Sequence, residues 1–187
     1  MGTHPLVGRA AELARVETAL TESAERGGTL LVSGPAGIGK TSLLDAVSEQ
    51  ALSRGHRVLW VTGLESEGDL PYAGLHRLLQ PVLSSAGALP TPQRNALLTA
   101  LGMRSGGPPE MFLVGLATLN VLDEVGGDDP VLLVADDFHW LDSPTSSVLN
   151  FVARRLEGTQ ILLIAGIRDN FTARLGPTRC RRSVSDP

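Results

Sequence analysis

Lysine is almost missing from this chain: of its 16 basic residues, 15 are arginine and one, Lys40, is lysine. A composition that uses arginine wherever either cation will serve makes its surviving lysine a candidate for chemistry that arginine cannot supply. Cysteine is just as scarce. The single Cys180 excludes an internal disulfide. Apolar runs such as Val131–Ala135 and Ile161–Ala165 are strand-sized and fall far short of the ~20 residues of a membrane-spanning helix. The opening Met-Gly-Thr-His-Pro lacks the basic-then-apolar order of a secretory signal, so the expected location is the cytoplasm, with no membrane partner.

What is present suits a globular domain. A chain of 187 residues, 42% hydrophobic and 19% charged, can bury one core but not two comfortable ones. The net charge of −4 is unevenly spread, because residues 1–167 hold 11 basic and 18 acidic groups, a net −7. A body this acidic is poorly suited to bind nucleic acid electrostatically, and no direct nucleic-acid binding is expected of it.

Periodicity predicts alternating elements. Ala10–Arg26, Thr41–Arg54, Tyr72–Val82, Pro92–Leu101 and Glu110–Val125 carry apolar residues at helical spacing. Ser143 and Pro144 supply a cap and a first-turn residue for a further helix reaching Leu156, with Arg154 and Arg155 near its end, where cations suit the dipole. Thr29–Ser33, Arg57–Thr62, Val131–Asp136 and Gln160–Ile167 read as strands. Continuous apolar strands between helices mean an α/β fold, a parallel sheet covered on both faces.

Between the first strand and the second helix lies Gly34-Pro35-Ala36-Gly37-Ile38-Gly39-Lys40-Thr41, followed by Ser42, a match to G-x-x-x-x-G-K-[ST] in the context that motif requires. The glycines let the backbone fold so that successive N–H groups point inward around a phosphate, and the helix start adds its dipole. Lys40 is then expected on the β- and γ-phosphates of ATP and Thr41 on Mg²⁺. Val131–Asp136 ends in an acid where a parallel sheet opens its ligand crevice. Asp136 is accordingly expected to hold Mg²⁺ through its bound water, and Asp137 to orient a water towards the γ-phosphate. The guanine-reading pattern N-K-x-D needs a lysine, and the only one is already used, which favours ATP over GTP.

These residues resemble a family. Leu6-Val7-Gly8-Arg9 is similar to the "VGR" box of AAA+ and STAND-type ATPases, which implies that Val7, Gly8 and Arg9 lie near the adenine. Asp136-Asp137-Phe138-His139-Trp140-Leu141-Asp142 looks like the D-D-x-H-W-x-D signature of bacterial STAND-like domains in large ATP-binding LuxR-type transcriptional regulators and some multidomain adenylate cyclases. Pro71–Leu79 is also similar to a segment of those regulators. The resemblance covers about residues 5–168. It implies a P-loop three-layer sandwich and a γ-phosphate-sensing role for Arg168. Beside it, His139 and Trp140 could be read as catalytic or base-stacking, but are expected instead to pack the loop after the acidic strand and position Asp137. The family motif at Arg168 is usually threonine-rich, whereas this chain reads Ala165-Gly166-Ile167-Arg168.

After Arg168 the periodicity stops, and residues 169–187 are expected to form a disordered or aberrant tail on a C-terminally incomplete core spanning 1–168. Family members continue into a lid and a C-terminal DNA-binding region, expected here only in a longer parent protein. Four strands in the order 1-4-3-2 follow, with the fifth missing and Thr29–Ser33 left as an open edge that invites self-association. Two other readings remain open: a P-loop kinase passing the γ-phosphate to a small acceptor, and a truncated product without function.

Overall fold

The structure, a computed structural model, describes residues 10–171, Leu175 and 180–183. Along the chain these form α1 (Ala10–Arg26), β1 (Gly28–Ser33), α2 (Lys40–Ser53), β2 (Arg57–Thr62), α3 (Ala73–Leu79), α4 (Thr91–Ala100), α5 (Met111–Gly126), β3 (Val131–Asp136), α6 (Ser143–Ala153), β4 (Ile161–Ile167) and β5 (Cys180–Ser183). All strand pairings are parallel, and the sheet runs β2-β3-β4-β1-β5.

Sequence and layer structure correspond residue by residue. β3 and β4 are buried at every position because both occupy the middle of the sheet with helices on either side. Successive side chains point to opposite faces. Leu132, Val134, Leu162 and Ile164 pack with Val16 and Leu20 of α1 and with Leu43, Leu44, Val47 and Ala51 of α2. Their neighbours Leu133, Ala135, Leu163 and Ala165 face the other layer, where Leu75, Leu78, Val114, Val121, Val148 and Val152 supply the helical side. Each fully buried leucine contributes about 1.5–3 kcal/mol, so this two-sided burial is what holds the crevice at the strand ends in place. No helix among the described residues is long and apolar enough to cross a membrane.

The four strands read from periodicity lie in the expected order, with β4 between the phosphate-loop strand and the acidic strand. The expectation of a missing fifth strand is corrected. Cys180–Ser183 pairs in parallel with Leu30–Ser33, so β1 is an interior strand and the open edge expected to drive self-association is covered. Leu175 is buried in the larger core cluster. At these positions the chain after Arg168 is part of the fold; the rest of 172–187 lies outside the described residues.

Two helix ends differ from the expected ones by more than a single residue. α3 stops at Leu79, short of the expected Val82, and the chain continues as 3₁₀ turns over Gln80–Ala88. Pro81 explains this, because it has no N–H to donate to the preceding turn. α6 ends at Ala153, with Arg155 Nη1 donating to the Phe151 carbonyl at 3.1 Å and its guanidinium 3.5 Å from the Phe151 ring centre.

Candidate nucleotide-binding site

The loop between β1 and α2 turns on two left-handed glycines, Gly37 at φ 76° and Gly39 at φ 85°. A side chain at either would strain the backbone, so these are the motif positions where glycine is required. Gly34 is buried, and its N–H donates to the carbonyl of Ile167 at 3.3 Å, which ties the start of the loop to the end of β4. Pro35, Ala36 and Gly37 are exposed, Ile38 and Gly39 half-buried. Thr41 and Ser42 are exposed on the first turn of α2.

Lys40 is 7% exposed, and its Nζ donates to the carbonyls of Gly34 at 3.0 Å and Pro35 at 2.9 Å. The ammonium thus folds back on its own loop. Thr41 Oγ1 donates to Asp136 Oδ2 at 2.6 Å, joining residues 95 apart in sequence. Asp136 itself is 3% exposed, and its other oxygen accepts the backbone N–H of Asp137 at 2.9 Å. Gly166 on β4 makes room for this carboxylate: a Cβ there would stand 2.8 Å from Asp136 Oδ1 and 3.2 Å from Leu44 Cδ1. Glycine in place of a threonine-rich motif is therefore a matter of space beside Asp136.

Asp137 adopts left-handed backbone, φ 43°, as it leaves the strand, and its side chain is 34% exposed. His139 follows one short helical turn later, with Nε2 3.9 Å from Asp137 Oδ1. Arg168 leaves β4 half-buried, its guanidinium 5.9 Å from the Trp140 ring centre. The structure thus brings together Gly34–Ser42, Asp136, Asp137 and Arg168. Val7, Gly8 and Arg9 lie outside the described residues.

These donors fit a nucleotide with its metal. The Lys40 ammonium, the N–H groups of a glycine loop and a helix start suit phosphate, and a hydroxyl already hydrogen-bonded to a buried carboxylate suits an oxygen-ligated cation such as Mg²⁺.

Asp142, noted in the sequence only as part of the 136–142 signature, holds the site loop together. It is 2% exposed, and its carboxylate accepts the N–H groups of Tyr72 (2.8 Å), Gly74 (3.0 Å) and Thr145 (2.9 Å) and the Thr145 hydroxyl (2.7 Å). It is the cap of α6, so the expected cap, Ser143, is instead the first helical residue with Pro144 beside it. The signal was available: an acid directly before Ser-Pro is a strong capping pattern. The same carboxylate fixes the start of α3 to the loop carrying Asp137 and His139.

Fold and site together define an AAA+ P-loop ATPase domain, and comparison with known families agrees. The chain belongs to the AAA ATPase domain family, whose model matches residues 5–164. No curated protein sequence matches it. Among solved structures it is similar to the ORC2 protein of Aeropyrum pernix, described as ADPNP–ADP complexes, at 17% identity and TM-score 0.50 over 88% of this chain and 42% of that one. It is likewise similar to PCH-2 of C. elegans, at 13% identity and TM-score 0.50 over 95% of this chain and 42% of that one. At these identities the likeness is one of fold, and the chain spans less than half the length of either protein.

Proposed function

We propose that this chain binds ATP with Mg²⁺ as the nucleotide-responsive module of a signal-dependent transcriptional regulator, with slow hydrolysis resetting the bound state. The observation that supports this most is the hydrogen bond from Thr41 to the buried Asp136 beside a glycine loop that holds the chain's only lysine. Lys40 would leave the carbonyls of Gly34 and Pro35 for the β- and γ-phosphates, and the Thr41 hydroxyl would serve the cation with Asp136 behind it. The metal neutralises charge on the phosphates when bound. Asp137, half-exposed at the strand end, suits the orientation of an attacking water, and Arg168 suits contact with the γ-phosphate. Val7, Gly8 and Arg9 are assigned to the adenine by resemblance.

The regulator setting rests on the resemblance of 71–79 and 136–142 to large LuxR-type regulators. In that setting DNA binding belongs to a longer parent protein, and ATP acts by favouring one conformation over another. Product analysis tests the reaction. Free phosphate released from ATP and Mg²⁺ alone supports the ATPase; ADP formed only when a small acceptor is added would replace it with a kinase.

A further inference from the structure

One buried polar group beside the site has no assigned partner. The His139 side chain is 1% exposed, and among the described residues neither ring nitrogen has a hydrogen-bond partner. A buried polar group left unsatisfied costs about 1–3 kcal/mol, so its persistence calls for a reason. Aromatic contacts hold the ring instead: Trp140 lies at 5.1 Å between ring centres and Phe171 at 4.5 Å, with Trp140 and Phe171 5.8 Å apart. Trp140 comes from the same short turn as His139. Phe171 comes from the segment after β4, where its N–H donates to the Arg168 carbonyl at 3.0 Å. The imidazole is therefore packed against the turn that carries Arg168, in a three-ring cluster with Trp140 and Phe171.

The charged groups facing His139 are Asp137, Arg168, Lys40 and Asp136. Burial outweighs them and lowers its pKa below the ordinary histidine value, so the ring is neutral, with one N–H donor and one acceptor. Its Nε2 stands 3.9 Å from Asp137 Oδ1, about 1 Å beyond a hydrogen bond. The Asp137 carboxylate, a third exposed, has room to close that gap by side-chain rotation.

We propose that His139 is a positioning residue for Asp137: Nε2–H closes onto Oδ1 in the loaded site, and the Phe171 clamp passes the position of the Arg168 turn to that contact. This rests on the ATPase reading above. It gives the arginine that would meet the γ-phosphate a mechanical path to the carboxylate that would orient the water. Two rings and one hydrogen bond are enough, because the rings fix where Nε2 points. A residue kept only for packing would need no nitrogen at this place.

Two measurements test it. In the first, His139→Phe keeps a ring against Trp140 and Phe171 but removes both nitrogens. Affinity for ATP with Mg²⁺ should stay within about threefold while turnover falls about 10- to 100-fold, the usual loss when an outer partner of a reacting group is removed. His139→Gln, which retains an N–H, should recover part of the rate. Phe171→Ala should lower turnover without lowering affinity. A His139→Phe protein that turns over like the parent would overturn the proposal. The second measurement does not depend on turnover. With ring-¹⁵N-histidine and bound ATP–Mg²⁺, the resonance that disappears in His139→Gln should show the Nε2-protonated neutral ring and should shift in Asp137→Ala. An unchanged ring spectrum in Asp137→Ala would overturn the proposal. A parent without turnover would defeat the ATPase reading, while this spectrum still decides the role of His139.

Discussion

Asp142 Oδ1 accepts the backbone N–H of Tyr72 at 2.8 Å and holds that residue in left-handed backbone, φ 63°. Non-glycine residues occupy this region at a cost of about 1–2 kcal/mol, so the bond fixes a conformation the chain would otherwise leave. The same carboxylate caps α6, and α3 and α6 are thereby held at one point beside the acidic loop.

Asp142→Ala should consequently be the most destabilising single change in this loop. It leaves the buried N–H groups of Tyr72, Gly74 and Thr145 without their acceptor, and each unsatisfied donor costs about 1–3 kcal/mol. A loss of at least about 3 kcal/mol by chemical denaturation is expected. A change under about 1 kcal/mol would mean that water replaces the carboxylate freely.

Much of this architecture is legible in the sequence, and the exceptions have physical causes. β3 is apolar up to its terminal Asp136 and β4 is aliphatic apart from Gly166, so their burial on both faces follows from composition. The glycine loop announces itself because only glycine suits φ 76° and 85° at Gly37 and Gly39. β5 reads Cys-Arg-Arg-Ser and carries no apolar pattern, since it closes the sheet at an edge that needs less burial. The stop at Pro81 was visible but was outweighed by the helical spacing that runs on to Val82. Asp142 is different in kind. Its partners at the start of α3, Gly74 and the cap residue Tyr72, lie 68 and 70 residues away, and no local pattern connects an acid before Ser-Pro to a distant helix start.

Gly166→Ala tests the space beside Asp136. The new methyl would meet Asp136 Oδ1 at 2.8 Å, while the other oxygen holds Thr41. The carboxylate must turn away, so the Mg²⁺-dependent part of ATP affinity should fall about tenfold, or about 1.4 kcal/mol, with the fold retained. Circular dichroism checks the fold and titration with and without the cation checks the loss. Equal Mg²⁺ dependence in the variant and the parent would refute the spatial argument.

Asp136 and Asp137 should separate in role. Asp136→Asn should weaken binding only when Mg²⁺ is present, because its oxygen sits behind Thr41. Asp137→Asn should keep ATP and lose turnover by about 100-fold or more, the scale of removing a group that handles the attacking water. Single-turnover kinetics beside equilibrium binding resolve the two. Loss of binding in Asp137→Asn with none in Asp136→Asn would reverse the assignment.

Stability should fall on mild acidification. Burial lowers the pKa of His56, aided by Arg54 and opposed by the nearby backbone of Leu20 and Ala51; burial also lowers that of His139, opposed by Asp137. Both folded values lie below the ordinary 6.5, so the unfolded chain takes up protons first as the pH drops. Their contribution is complete above 6.5 and is lost as the pH falls below it. Urea midpoints at about pH 7.5 and about pH 5.5 should differ, the lower pH being less stable, and His56→Gln should reduce the difference. A higher midpoint at the acid end would contradict the sign.

Lys40 is the chain's only lysine and lies 7% exposed in the glycine loop with its ammonium on the loop carbonyls. The most direct measurement is titration of the parent and of Lys40→Ala with a fluorescent ATP analogue in the presence of Mg²⁺. The expected loss is about 2–4 kcal/mol, roughly 30- to 900-fold in affinity, the scale of removing a desolvated charge contact. Equal affinity of parent and variant would contradict the phosphate site itself.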